Sequence, residues 1–131
     1  MIEKIAFFIL AGVYMLGAAE PGFQTCYDKA GSTADEISCI DKEYSYYDKI
    51  LNQYYKEIMR HFRNDPGERK YLREAQRAWI VYRDKKCRFE GYPMRGGSAE
   101  SVIVFGCRTT ETKKRALELK AIAKDIKNNT N

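Results

Sequence analysis

The chain has 131 residues and a net charge of +5, from 23 Lys and Arg against 18 Asp and Glu, with four cysteines and a single histidine. That length holds one small domain, which buries only about two-thirds of its unfolded surface and gains from cross-links. The cysteines include no CxxC pair and His61 is far from all of them in sequence, which argues against a zinc site.

The chain opens with MIEK, a short charged start, then the apolar stretch IAFFILAGVYML and the small residues GAA. This is the pattern of a secretory signal peptide, residues 1–19, cleaved after Ala19. The apolar stretch is about a dozen residues, too short to span a bilayer comfortably. No cysteine follows the small residues to take a lipid, so stable membrane anchoring is not expected. Residues 20–131 then form a single exported domain, periplasmic or secreted. Cys26, Cys39, Cys87 and Cys107 all lie in it, where oxidation is favoured, and their even count reads as two disulfides.

Charge is unevenly spread. Residues 20–63 hold eight acids and six bases, whereas residues 64–131 hold nine acids and sixteen bases. The basic back half suits an anionic envelope surface or an acidic protein. Without a concentrated run of Lys and Arg, nucleic acid is not expected as a partner.

Ile37, Ile40, Tyr44, Tyr47, Leu51, Tyr54 and Ile58 alternate at three and four residues, the spacing of a long helix with one core-facing stripe. Thr33 and Glu36 form a capping box at its start. AsnAspProGly, 64–67, ends it. A second helix is predicted from about Glu68 to Phe89, with Leu72, Ala75, Trp79 and Tyr82 facing inward. Gly91, Pro93, Gly96 and Gly97 then mark a loop. Ser98 caps a third helix, which begins with the apolar run VIVF and carries Val102, Ile103, Gly106, Thr110, Leu117, Ile122, Ala123 and Ile126 on or near one face. With no partner strand elsewhere, VIVF reads as buried helix despite its strand-favouring residues. Lys127–Asn131 is expected to fray. The predicted architecture is all-α, an antiparallel three-helix bundle stapled by disulfides.

Folding the first two helices about the turn near residue 65 sets Asp48 against Arg83, Asn52 against Trp79 and Tyr55 against Gln76. We read these six as a structural polar ladder that fixes helix register, because no nucleophile or titrating base stands beside them. His61 closes the first helix beside Arg60 and Arg63, a place for a dipole or capping role. Asp35 and Glu36 suit the positive end of that helix. As sequence neighbours they point apart, unlike a glycosidase pair. Ser98 and Ser101 lack a partner base, and Gly96 and Gly97 open no phosphate-binding loop. No catalytic residue, metal or cofactor is expected. Tyr46 falls off the stripe and Tyr27 and Tyr92 lie in loops; these are the tyrosines expected at the surface.

The ordered set of Cys26, Ala30, Thr33, Glu36 and Cys39, then Asp48, Leu51, Asn52 and Tyr55, resembles the LprI-type lysozyme inhibitor domain. The likeness continues through Ala75, Gln76, Trp79, Tyr82, Arg83, Asp84 and Cys87, then GlyGlySer at 96–98, Cys107, Thr112, Arg115 and Leu119. Helix geometry alone puts all four cysteines at the end opposite the 64–67 turn, where every pairing is conceivable. The resemblance implies Cys26–Cys39 and Cys87–Cys107, each closing a loop that stabilises by about 3 kcal/mol in the chain-entropy model.

The resemblance also implies a non-enzymatic exported protein that binds and blocks a lysozyme. Arg95, Gly96, Gly97 and Ser98 would then be an inhibitory loop, bringing a cation and a hydroxyl to the carboxylates of a cleft. Asp35, Glu36, Asp41 and Glu43 would be an acidic contact face for a cationic lysozyme. Because the chain is itself basic, such binding has to be local and salt-sensitive. A periplasmic adaptor is the other reading, meeting another envelope protein or a toxin through the basic second half.

Overall fold

The computed structural model describes residues 22–130; the expected signal segment, 1–19, lies outside the described residues. Four α-helices follow one another: α1 (Phe23–Lys29), α2 (Thr33–His61), α3 (Pro66–Gly91) and α4 (Ser98–Asn129), with a single 3-10 turn, Tyr92–Met94, between the last two. The three long helices form the expected up-down-up bundle. VIVF is helical, as the lack of a partner strand implied, but it is not buried: Val102, Ile103 and Val104 are half-buried and Phe105 is exposed.

The short helix α1 was not foreseen. Seven residues do not hold a helix on their own in water. Here Cys26–Cys39 bonds α1 to α2, the Phe23 ring meets Tyr46 and Tyr47 at centroid distances of 5.6 and 6.3 Å, and Tyr27 Oη donates to Glu43 at 2.8 Å. Tyr27, expected at the surface, is therefore half-buried.

The start of α2 lies one residue from the predicted capping box. Ser32 is the N-cap: its Oγ accepts from the Asp35 amide at 3.2 Å and donates to Asp35 Oδ2 at 2.8 Å. Asp35 does the work assigned to Glu36, since Thr33 already has helical geometry. The stripe along α2 is as predicted, with Ile40, Tyr47, Leu51 and Ile58 buried and Ile37, Tyr44 and Tyr54 half-buried. At the turn, Asp65 caps α3 by accepting from the Glu68 amide at 3.0 Å, with Pro66 in the first helical position.

Helix α3 is rotated from the predicted face. Gln76, Arg83, Cys87 and Gly91 are buried and Leu72 and Trp79 half-buried, while Ala75 is exposed and Tyr82 is 58% exposed. In α4, Cys107, Thr109, Glu111, Thr112, Ala116, Leu119 and Ala123 are buried, whereas Thr110, Leu117 and Ile122 are exposed. Hydropathy selects the wrong faces because both helices bury polar groups that bond each other. The C-terminal turns also stay helical through Asn129, helped by an ion pair of Lys127 with Glu57.

Pairings between α2 and α4 advance together: Arg108 lies over Tyr44, Lys113 over Tyr47, and Lys127 meets Glu57. These two helices run parallel. Pairings between α3 and α4 run in opposite senses, with Cys87 on Cys107, Arg83 on Thr112 and Gln76 on Arg115. Helix α4 thus packs along both neighbours, and an open groove separates α2 from α3. The apolar core of Leu51, Ile58, Ala116, Leu119 and Ala123 sits between α2 and α4 in the half of the bundle nearer the α2–α3 turn.

Candidate functional site

The end of the bundle away from that turn gathers both cross-links, Cys26–Cys39 and Cys87–Cys107, with Cα separations of 5.8 and 5.4 Å. These are the expected pairings. They tie α1 to α2 and α3 to α4, so the start of α2 and the α3–α4 loop are held on a rigid base.

Gly91 closes α3 in a crowded place, because a Cβ there would lie 2.4 Å from Val104 Cγ2. The chain then makes the 3-10 turn, and Gly96 adopts φ +82°, a left-handed conformation that favours glycine. Ser98 does not cap α4 as predicted. Gly97 is the N-cap, Ser98 is the first helical residue, and Glu100 Oε2 accepts from the Gly96 amide at 2.8 Å. A carboxylate reaching back from the first turn replaces the serine hydroxyl, which stays exposed and without a bond.

Arg95 stands outside this turn. Its guanidinium carbon lies 4.4 Å from the Tyr92 ring centroid, and Nη1 reaches the Tyr92 carbonyl at 3.5 Å. Stacking on an aromatic face favours the cation and limits its freedom. Phe89 and Tyr92 are 80% and 61% exposed, and Met94 is also exposed. Sequence patterning had not marked Phe89 or Met94. Their signal was an apolar residue off the inward stripe, next to a loop.

The four candidate acids share this half of the bundle but differ in availability. Glu36 and Asp41 are exposed, and Asp41 opens on an apolar groove of about 420 Å³ between α2 and α4, beside Ile37, Tyr44, Phe105 and Arg108. Asp35 is exposed yet committed to the cap. The Ser32 hydroxyl and the Gly31 amide hold its carboxyl below the usual range. Glu43 is half-buried and accepts from Tyr27, whose phenol is pushed well above its ordinary range by burial and then by that bond.

The six ladder residues surround one groove between α2 and α3, but their bonds run elsewhere. Asn52 Nδ2 donates to Asp48 on its own helix, to the carbonyl at 2.8 Å and to Oδ2 at 3.0 Å. Gln76 Oε1 accepts from Arg115 Nε at 3.0 Å, and Arg83 donates to Thr112 Oγ1 at 3.2 Å and to Asp84 at 2.9 and 3.0 Å. The guanidiniums of Arg83 and Arg115 both lie over the Trp79 ring, at 5.0 and 6.0 Å from its centroid. Among the described residues, no hydrogen bond or ion pair joins an α2 member to an α3 member. The register device therefore joins α3 to α4. Thr112 and Arg115 stand three apart on α4 and Gln76 and Arg83 seven apart on α3, each pair on one helix face, and that spacing was the available signal.

Next to this network Glu111 is buried and takes hydrogen bonds from Lys86 and Lys114, each at 3.0 Å. Burial alone would push its carboxyl up, but the two ammonium groups outweigh it and hold the acid below the ordinary Glu range. Lys86, held by Glu90 and then Glu111, is shifted well above the ordinary Lys range. His61 is exposed at the end of α2, its ring edge-on to Phe62. Among the described residues no three His, Cys, Asp or Glu side chains converge as a metal site would need, and no helix is long and apolar enough to cross a membrane.

The family model described as Lysozyme inhibitor LprI matches residues 26–119. An uncharacterized protein of Rhizobium meliloti (strain 1021) is 35% identical over 111 residues, which is 76% of this chain and 80% of the relative. No solved structure matches.

Proposed function

The chain belongs to the LprI lysozyme inhibitor family, and on that premise we propose that it is an exported protein, periplasmic or secreted, which binds a lysozyme and blocks it without catalysing a reaction. The observation that carries the choice of surface is Arg95 stacked on Tyr92 at the exposed, cross-linked end of the bundle. A cation held on an aromatic face, flanked by exposed apolar side chains, has the composition of an interface anchor. Loop residues Arg95, Gly96, Gly97 and Ser98 enter or cover the cleft, where Arg95 meets its carboxylates. Glu36 and Asp41 offset the net positive charge by facing cationic parts of the lysozyme surface.

Titrating a lysozyme with the purified domain while following cell-wall lysis tests this reading. Inhibition should saturate near equimolar addition. Complete lysis at a large molar excess of the domain would sink the proposal.

A second reading has its own supporting observation. The outer face of α3 exposes Tyr71, Val81, Tyr82 and Phe89 beside Lys85 and Arg88, a surface suited to an acidic envelope protein or toxin. Retention of a periplasmic protein by immobilised domain, lost on Tyr82→Ser with Phe89→Ser and paired with no effect on lysis, would favour that adaptor role.

A further inference from the structure

The groove between α2 and α3 has a volume of about 450 Å³, within the range of small-molecule sites. Its walls hold more hydrogen-bonding capacity than the fold uses. Gln76 spends its oxygen on Arg115 and keeps its amide donors, while Asn52 spends its amide on Asp48 and keeps its oxygen. Among the described residues, the Tyr55 hydroxyl, the Trp79 indole N–H and the guanidiniums of Arg73 and Arg77 have no hydrogen-bond or ion-pair partner. None of these is needed for register, because that task falls to Gln76, Arg83, Thr112 and Arg115.

The chemistry of this set selects its ligand. Two free guanidiniums on adjacent turns of α3 ask for a carboxylate. On the opposite wall the Asp48 carboxylate repels a bare anion but accepts from hydroxyls, as does the Asn52 oxygen. Indole, phenol and amide donors complete an array that both donates and accepts, and the Tyr55 and Trp79 rings offer apolar area to C–H groups. A ligand with several hydroxyls, one carboxylate and an apolar ring edge meets every element. We infer that this groove binds an acidic saccharide, with its carboxylate on Arg73 and Arg77 and its hydroxyls on Asp48, Asn52 and Gln76. The site is separate from the Arg95 loop and does not depend on the inhibitor reading.

Trp79 is the only tryptophan in the chain, so its fluorescence reports on the groove directly. The probes are two carboxylate-bearing disaccharides, one with N-acetylmuramic acid and one with glucuronic acid, together with uncharged diacetylchitobiose and sodium acetate. At least one acidic disaccharide should give a saturable change, and which one does identifies the source of the sugar. Diacetylchitobiose and acetate should bind at least tenfold more weakly. Arg73→Gln with Arg77→Gln should weaken the acidic sugar at least tenfold and leave the circular dichroism spectrum unchanged, as both side chains are exposed. Asn52→Ala serves as the variant on the α2 wall, with weakening expected there too. The inference is overturned by no saturable change with either acidic sugar in fluorescence and calorimetry. Equal binding of the uncharged sugar or of acetate, or unaltered affinity in the double Arg variant, overturns it as well. Lysozyme inhibition measured on the same double variant should be unaffected, which keeps the two outcomes apart.

Discussion

Gln76 Oε1 accepts a hydrogen bond from Arg115 Nε at 3.0 Å and so joins α3 to α4 across 39 positions of sequence. Two turns along α3, Arg83 repeats the connection to Thr112. Together they decide which side of α3 is inside, because a buried polar side chain without its partner costs about 1–3 kcal/mol, whereas Ala75 or Tyr82 loses little by facing water.

The rotation of α3 is open to a direct comparison of two neighbours. Arg83→Ala removes bonds to Asp84 and Thr112 and the stack on Trp79, and should lower stability by about 2 kcal/mol, less than for a fully buried pair because Asp84 is partly exposed. Tyr82→Ala should stay within about 0.5 kcal/mol of the parent. Urea unfolding midpoints in the reverse order would mean that α3 packs by its hydropathic stripe.

Three glycines at the α3–α4 junction should respond differently. Gly91→Ala places a methyl against Val104 and should cost about 1–3 kcal/mol through overpacking, with partial recovery when Val104→Ala is added. Gly96→Ala should cost about 1 kcal/mol through its positive φ alone, and Val104→Ala should not relieve it. Gly97→Ala, whose Cβ would meet only the Met94 carbonyl at 3.4 Å, should be the mildest. A double-mutant cycle on thermal unfolding separates the cases.

Arg95 divides folding from binding. Its side chain is exposed and stacks on Tyr92, so Arg95→Ala should leave the unfolding midpoint unchanged. If the loop meets a lysozyme cleft, the same change should weaken inhibition by about tenfold, or roughly 1.4 kcal/mol. Equal inhibition by the variant would move the contact surface away from the loop.

Acid and base should destabilise the domain through different groups. Glu111 has a depressed pKa in the folded state, so its contribution is present above the ordinary Glu range and is lost as pH falls through the lower folded value. Lys86 and Tyr27 have raised values, so theirs are present below the ordinary Lys and Tyr ranges and are lost at strongly alkaline pH. A series of urea titrations should give a broad plateau around neutrality, and Glu111→Gln should flatten the acid limb specifically. An unchanged acid limb in that variant would remove Glu111 as its source.

The two disulfides should not be equivalent. Replacing Cys26 and Cys39 by Ser frees α1, a seven-residue helix with no buried residue of its own, and should abolish its protection from hydrogen exchange while α2, α3 and α4 stay protected. Replacing Cys87 and Cys107 removes the fully buried Cys87 and loosens the α3–α4 junction. Each loss should cost about 3 kcal/mol in the chain-entropy model, but only the second should increase exchange at the Arg95 loop.

Much of the molecule was legible from local chemistry. The alternation of Ile40, Tyr47, Leu51 and Ile58 specifies one face of α2 because those residues gain by burial whatever packs on them. Asp65 and Pro66 mark the end of α2, as read, and through their own backbone preferences also start α3 two residues before the predicted Glu68. The even count of four cysteines implied two cross-links, and the family resemblance supplied their pairing. The predicted capping box of α2 and the Ser98 cap of α4 were nearly legible, displaced only because Asp35 and Glu100 each reach back to a donor just outside the helix.

The faces of α3 and α4 were decided by tertiary structure. Gln76, Arg83, Glu111 and Thr112 are inside only because each finds its partner on the other helix, or for Glu111 also on its own turn. No property of a single residue carries that information, since the same side chain without its partner belongs in water. The groove between α2 and α3 has the same origin. Helix α4 takes up the register-setting bonds of α3, and so the side chains that face α2 keep their hydrogen-bonding capacity for something else.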